Sequence, residues 1–136
     1  MSIYTAVATS AGRDTRAVTS DGRLDVKLAR QKEFGGDGDG TNPEQLFAAG
    51  YAACFASSMQ IAARRRKIDI TGAAATAEVG VNPNGEGGFT LEVTMRVELP
   101  NHVSADDGRE LVDAAHHICP YSNSICGNVP VSLVIE

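Results

Sequence analysis

The sequence predicts an α+β fold: mainly antiparallel sheets packed with a long buried central helix and a second helix. Three observations carry that expectation. Residues 46–63 are apolar throughout except for the small residues Gly50, Ser57 and Ser58, and Gln60 is the only large polar one. In residues 89–99, Leu91, Val93, Met95, Val97 and Leu99 alternate with Glu92, Thr94, Arg96 and Glu98, the pattern of a strand buried on one face. The segments run strands, helix, strands, helix, strand, which suits an α+β domain. A length of 136 residues fits one core, so residues 1–136 read as a single domain.

In chain order, residues 3–10 alternate loosely and read as a strand. Residues 16–19 and 24–28 read as two short strands around Asp21-Gly22, because Asp-Gly readily adopts positive φ. The Gly/Asp-rich stretch 35–40 reads as a flexible lead-in loop. It lacks the terminal Glu of an EF-hand loop and the Gly-Lys-Ser/Thr ending of a phosphate loop. Asn42 then caps the central helix and Pro43 fits its first position. With almost no wet face, that helix is expected to be covered on all sides. Arg64-Arg65-Arg66-Lys67 closes it with charge that the helix dipole favours. Residues 68–81 and 89–99 read as long strands. Residues 104–118 form a second helix, capped by Ser104 and ended by Pro120, and 129–135 form a last strand.

Composition excludes several classes. A hydrophobic fraction of 43% argues against disorder, and a net charge of −5 argues against nucleic acid as a partner. The N-terminus shows no secretory pattern, and the apolar helix is too rich in Ala, Gly and Ser for a convincing membrane span. The expectation is a cytoplasmic protein with no membrane partner.

Three cysteines, Cys54, Cys119 and Cys126, are an odd count for a disulfide framework in a reducing compartment. Buried inert thiols, metal ligands and redox-active thiols are the choices. His116, His117, Cys119 and Cys126 match no standard zinc spacing, so no metal is expected. A cysteine in a buried helix is ordinarily a small hydrophobe. Here Glu44 opens the same helix, Cys119 follows the second helix, and the turn 12–16 carries Arg13 and Arg16. A thiol must ionise to attack a peroxide, and only about 3% of an unperturbed one is thiolate at pH 7. A nearby arginine raises that fraction about thirtyfold at most, or ~2 kcal/mol. It must therefore also orient the peroxide and stabilise charge as the O–O bond breaks.

The stretch Thr41-Asn42-Pro43-Glu44-Gln45-Leu46-Phe47-Ala48-Ala49-Gly50-Tyr51-Ala52-Ala53-Cys54-Phe55 resembles the signature of the organic hydroperoxide resistance (Ohr) proteins of the OsmC/Ohr thiol peroxidase superfamily. So do Gly12-Arg13-Asp14, Leu24-Asp25-Val26-Lys27-Leu28 and Cys119-Pro120-Tyr121-Ser122-Asn123. The resemblance runs nearly end to end. It implies that Cys54 is the peroxidatic thiol and Cys119 the resolving thiol, that Arg13 holds thiolate and peroxide, and that Glu44 orients Arg13. It also implies an intertwined homodimer that reduces organic hydroperoxides to alcohols through a Cys54–Cys119 disulfide. No cofactor is bound; dihydrolipoamide or a lipoylated protein is the reductant. Cys126 departs from the pattern, since the family commonly has an arginine there. A general OsmC-like peroxidase and a non-enzymatic thiol sensor are alternative readings of the same residues.

Apolar side chains near the two thiols, Phe47, Tyr51, Phe55, Met59, Ile118 and Tyr121, are expected to bind substrate. Glu44 and Cys54 stand ten residues apart, about 15 Å of helical rise. Either the helix bends near Gly50 or the Glu44 that serves Cys54 belongs to a second subunit.

Overall fold

The computed structural model describes all of residues 1–136. The chain divides into two compact units, Met1–Leu46 and Phe47–Glu136.

In the first unit, β1 (Ala8–Ser10), β2 (Arg16–Thr19) and β3 (Asp25–Lys27) form an antiparallel sheet in that order. The Asp21-Gly22 hairpin forms, with Gly22 at φ 72° and the Thr19 N–H on the Leu24 carbonyl at 2.9 Å. The first strand is shorter than expected. Ala8, Thr9 and Ser10 pair with β2, and the Val7 carbonyl accepts from the Ser20 N–H at 2.9 Å just beyond the ladder. A 3-10 turn, Lys32–Phe34, leads into the glycine-rich loop. That loop is held rather than slack: the Gly36 N–H reaches the Gln31 carbonyl at 3.1 Å and the Gly38 N–H reaches the Arg30 carbonyl at 3.0 Å. A Cβ at Gly36 would lie 2.0 Å from the Arg30 carbonyl oxygen, so only glycine permits this approach.

Helix α1 (Pro43–Arg66) starts with a reciprocal cap. Asn42 Oδ1 accepts from the Gln45 N–H at 2.9 Å, and Gln45 Oε1 accepts from the Asn42 N–H at 3.4 Å. Lys67, at φ 57°, ends it. The helix buries one stripe, Tyr51, Phe55, Ser58, Met59, Ala62 and Ala63. On its other face Ala49, Ala53, Ser57 and Gln60 are exposed in the single chain. Small side chains on that face lose little by exposure, since buried area sets the gain. By length and composition α1 could cross a membrane, with a mean hydropathy of 1.3 and 33% of its apolar window buried within the fold.

The rest of the second unit is a sheet of β4 (Ala74–Pro83), β5 (Phe89–Glu98) and β6 (Val131–Ile135), with α2 (Ala105–Ile118) and α3 (Pro120–Ile125) between β5 and β6. β4 was expected from residue 68. Instead, the Asp69 carboxylate accepts from the Thr71 N–H at 2.8 Å and from its hydroxyl at 2.6 Å, which folds a turn before the strand. β4 and β5 are antiparallel. β6 runs parallel to β5, because the helical crossover returns the chain in the same direction. Ser104 caps α2 by accepting from the Asp107 N–H at 3.1 Å. Pro120 ends α2 as expected and also opens α3, with Cys119 as the shared cap. The core gathers Tyr51, Phe55 and Met59 from α1, Val93, Met95 and Val97 from β5, Leu111, Val112 and Ala115 from α2, and Cys119.

Candidate active site

Cys54 lies half-buried on α1 and Cys119 fully buried at the α2–α3 junction. Their sulfurs are 3.0 Å apart, both as free thiols. A disulfide is about 2.05 Å long, so an approach of about 1 Å would join them. Burial pushes the Cys54 thiol up, and the hydrogen bond from Cys119 adds to it. The Tyr121 backbone N–H opposes the shift, and the result is about 11. At pH 7 roughly one such thiol in ten thousand is ionised, so these neighbours alone do not supply a nucleophile.

Around the thiols α3 is seated by polar and aromatic contacts. Ser122, 2% exposed, lies 2.6 Å from Tyr51 Oη and 2.9 Å from His116 Nδ1. Burial lowers the proton affinity of His116 and raises the pKa of the Tyr51 phenol. The Tyr121 ring stands 5.8 Å from that of Tyr51 and 6.0 Å from that of Phe47.

The first unit holds a cavity of about 460 Å³ lined by Arg13, Arg30, Gln31 and Glu44 among Ala17, Leu28, Phe34 and Leu46. Gln31 Nε2 donates to Glu44 Oε2 at 3.3 Å, and Arg30 Nε is buried without a hydrogen-bond partner. Arg13 sits in the β1–β2 turn beside Asp14, which adopts φ 62°. Arg13 and Glu44 line one cavity without forming an ion pair; Gln31 holds the carboxylate instead.

The predicted residues thus gather in two groups, Cys54 with Cys119 in one unit and Arg13 with Glu44 in the other. Tyr51, Phe55 and Met59 are 0%, 0% and 1% exposed. They fill the core of the single chain and expose no surface there. Ile118 is half-buried and Tyr121 is 39% exposed. Cys126 is exposed at the end of α3. No group of three or more His, Cys, Asp or Glu side chains is placed to hold a metal ion. His116 is engaged by Ser122, and His117 Nδ1–H donates to the Asp113 carbonyl at 2.8 Å. Sequence reasoning missed Gln31 and Arg30, and it missed Ser122 with His116. Tyr51 and Ser122 are 71 residues apart, so no local pattern announces their contact.

The OsmC-like protein family model matches residues 36–134. The organic hydroperoxide resistance protein of Xanthomonas axonopodis pv. citri is 47% identical, over 98% of this chain and 94% of that protein. OhrB of Bacillus subtilis is 37% identical over the full length of both. The crystal structure of an organic hydroperoxide resistance protein from Legionella pneumophila superposes with a TM-score of 0.95 at 42% identity, covering 100% of this chain and 99% of that one. The crystal structure of B. subtilis OhrB gives a TM-score of 0.88 at 37% identity, covering 99% of this chain and all of the other. The chain belongs to the OsmC/Ohr family, in its organic hydroperoxide resistance branch.

Proposed function

We propose that this protein is a cysteine-based peroxidase that reduces organic hydroperoxides to alcohols. The observation that carries the reading is the 3.0 Å approach of the Cys54 and Cys119 sulfurs. Cys54 thiolate attacks the terminal peroxide oxygen, the O–O bond breaks, and the alkoxide takes a proton and leaves as alcohol. The Cys119 thiolate then attacks the Cys54 sulfenic acid at sulfur, forming the disulfide and releasing hydroxide, which leaves as water once protonated. A dithiol reduces the disulfide by exchange and becomes a disulfide itself. On the family's pattern that dithiol is a dihydrolipoyl group, free or on a lipoylated protein.

Because burial holds Cys54 protonated, a cation has to favour the thiolate. Arg13 takes that role, and Glu44 positions it. Glu44 and Cys54 are ten residues apart on an unbroken helix, about 15 Å of rise. The Glu44 that serves Cys54 therefore comes from the partner subunit of an intertwined homodimer. Two features support a second chain: the one-sided burial of α1, and the exposure of Ile3 at 105% and Tyr4 at 80%. We read residues 1–136 as one functional domain, which the family match over residues 36–134, crossing the division at Leu46, supports. We place the protein in the cytoplasm, where thiols stay reduced between turnovers.

Phe47, Ile118 and Tyr121 bind the organic group. Apolar contact at ~25 cal/mol per Å² favours bulky hydroperoxides over hydrogen peroxide. The test is turnover of cumene hydroperoxide against hydrogen peroxide with dihydrolipoamide as reductant. At least about a tenfold preference is expected, which needs only ~1.4 kcal/mol. Equal rates would overturn the substrate reading, and no turnover of either would overturn the enzyme.

A further inference from the structure

We infer that Ser122, held between Tyr51 and His116, is a positioning residue that keeps Cys119 in register with Cys54 for the disulfide-closing step. The inference rests on the peroxidase reading above.

Three helices meet at one buried oxygen. Tyr51 comes from α1, His116 from α2, and Ser122 from α3, with hydroxyl contacts of 2.6 and 2.9 Å. A hydroxyl has one hydrogen and two acceptor sites, so these two partners can take its donor and one acceptor. Asn123 Nδ2 also ties α3 to the His117 carbonyl of α2 at 2.9 Å. Ser122 is the one α3 side chain that hydrogen-bonds to α1, the helix that carries Cys54, and the Tyr121 backbone N–H of α3 adds a contact to the Cys54 sulfur itself.

The spacing turns these contacts into a closed ring. Tyr51 lies three residues before Cys54 on α1, and Ser122 lies three residues after Cys119. One helical turn, about 5 Å, thus separates the hydroxyl contact from the sulfur contact on each side. Fixing one contact fixes the register of the other. The closing step moves the sulfurs from 3.0 Å to about 2.05 Å, so a small drift of α3 is enough to delay it. A delayed sulfenic acid meets a second hydroperoxide, whose oxygen converts it to sulfinic acid, with a second alcohol released. The ring therefore decides between turnover and inactivation.

The ring also carries a pH dependence. With neutral His116 as its Nε2–H tautomer, Nδ1 accepts the Ser122 hydrogen and Ser122 accepts that of Tyr51. Protonated His116 must donate instead. The two contacts then hold one hydrogen too many. Either Ser122 accepts from both neighbours and its own hydrogen lacks an acceptor, or it turns that hydrogen to Tyr51 Oη and the phenol hydrogen lacks one, with Tyr51 0% and Ser122 2% exposed. The groups that face His116 are Asp113 and His117 from its own helix and Ser122 from α3, with Tyr51 of α1 behind Ser122.

The test treats reduced protein with one equivalent of cumene hydroperoxide, traps sulfenic acid with dimedone, and counts adduct, disulfide and sulfinic acid by mass spectrometry over time. In Ser122→Ala, sulfenic acid should form within about twofold of the wild-type rate. Disulfide closure should slow by about tenfold, the upper end for one ordinary hydrogen bond. Tyr51→Phe, which keeps the ring and removes only the hydroxyl, should do the same and decides the matter if Ser122→Ala does not fold. His116→Gln should close with a flatter pH profile than wild type below pH 6.5. Wild-type closure in both hydroxyl variants, or equal slowing of both steps, would overturn the inference. If wild type forms no sulfenic acid at all, the peroxidase reading falls instead. Closure driven by diamide, an azo oxidant that first adds one thiol, then judges Ser122: unchanged closure overturns the positioning role, and slowed closure supports it.

Discussion

Gly50 and Tyr121 fit because one of them has no side chain: a Cβ at Gly50 would lie 2.6 Å from Tyr121 Oη and 3.2 Å from the ring. The ring rests there against α1, and the backbone N–H of the same tyrosine faces the Cys54 sulfur. A helical glycine costs about 1 kcal/mol relative to alanine, and here it permits a contact beside the reactive thiol.

Gly50→Ala should therefore separate stability from function. The helix gains up to about 1 kcal/mol, set against an overpacking cost of about 1–3 kcal/mol. Tyr121 is 39% exposed and can swing outward, which lowers that cost. The melting temperature should change little while Cys54–Cys119 closure slows. Wild-type closure kinetics would show that the ring's seat is unimportant.

Each cysteine should behave differently. Cys54→Ser should abolish turnover. Cys119→Ser should react once with hydroperoxide and then overoxidise. Cys126→Ser should turn over as wild type, since Cys126 is exposed at the far end of α3. Peptide mapping after one equivalent of peroxide should show Cys54–Cys119; a dominant Cys54–Cys126 bond would name the wrong resolving thiol.

Arg13→Ala should change the pH profile of Cys54 alkylation. Burial disfavours the charged thiolate and moves the titration upward, whereas a cation moves it downward. Without Arg13, iodoacetamide labelling should keep rising toward about pH 11. Wild type should level off at lower pH. Superimposable curves would remove Arg13 from the activation of Cys54.

His116 predicts a loss of stability in mild acid. Burial lowers its folded proton affinity below the ordinary 6.5. As pH falls below 6.5 the unfolded chain binds the proton first. The contribution of neutral His116 is therefore complete above 6.5 and is lost as pH drops through the lower folded value. Urea midpoints on either side of pH 6.5 should differ less in His116→Gln than in wild type. An unchanged difference would place the acid sensitivity elsewhere.

Mixing Glu44→Ala with Cys54→Ser protein under subunit exchange tests composite sites. If Glu44 acts in trans, some heterodimers carry both lesions in one site and leave the other intact, so activity should exceed that of either parent. No recovery, with heterodimers shown to form and Glu44→Ala itself impaired, would place both groups in one chain's site.

The elements that rest on near neighbours were legible in the sequence. The alternation in 89–99 became β5 with Val93, Met95 and Val97 buried, and Ser104 and Asn42 cap the helices they precede. Those features depend on side-chain period and on hydrogen bonds three residues long. Cys54 and Cys119 could each be picked out, but their 3.0 Å approach spans 65 residues and exists only because α1 and the α2–α3 junction pack in one core. The Tyr51–Ser122–His116 contact, the parallel pairing of β6 and the one-sided burial of α1 were likewise decided by tertiary structure. Packing brings together faces of distant elements, and no local pattern of residues specifies which faces will meet.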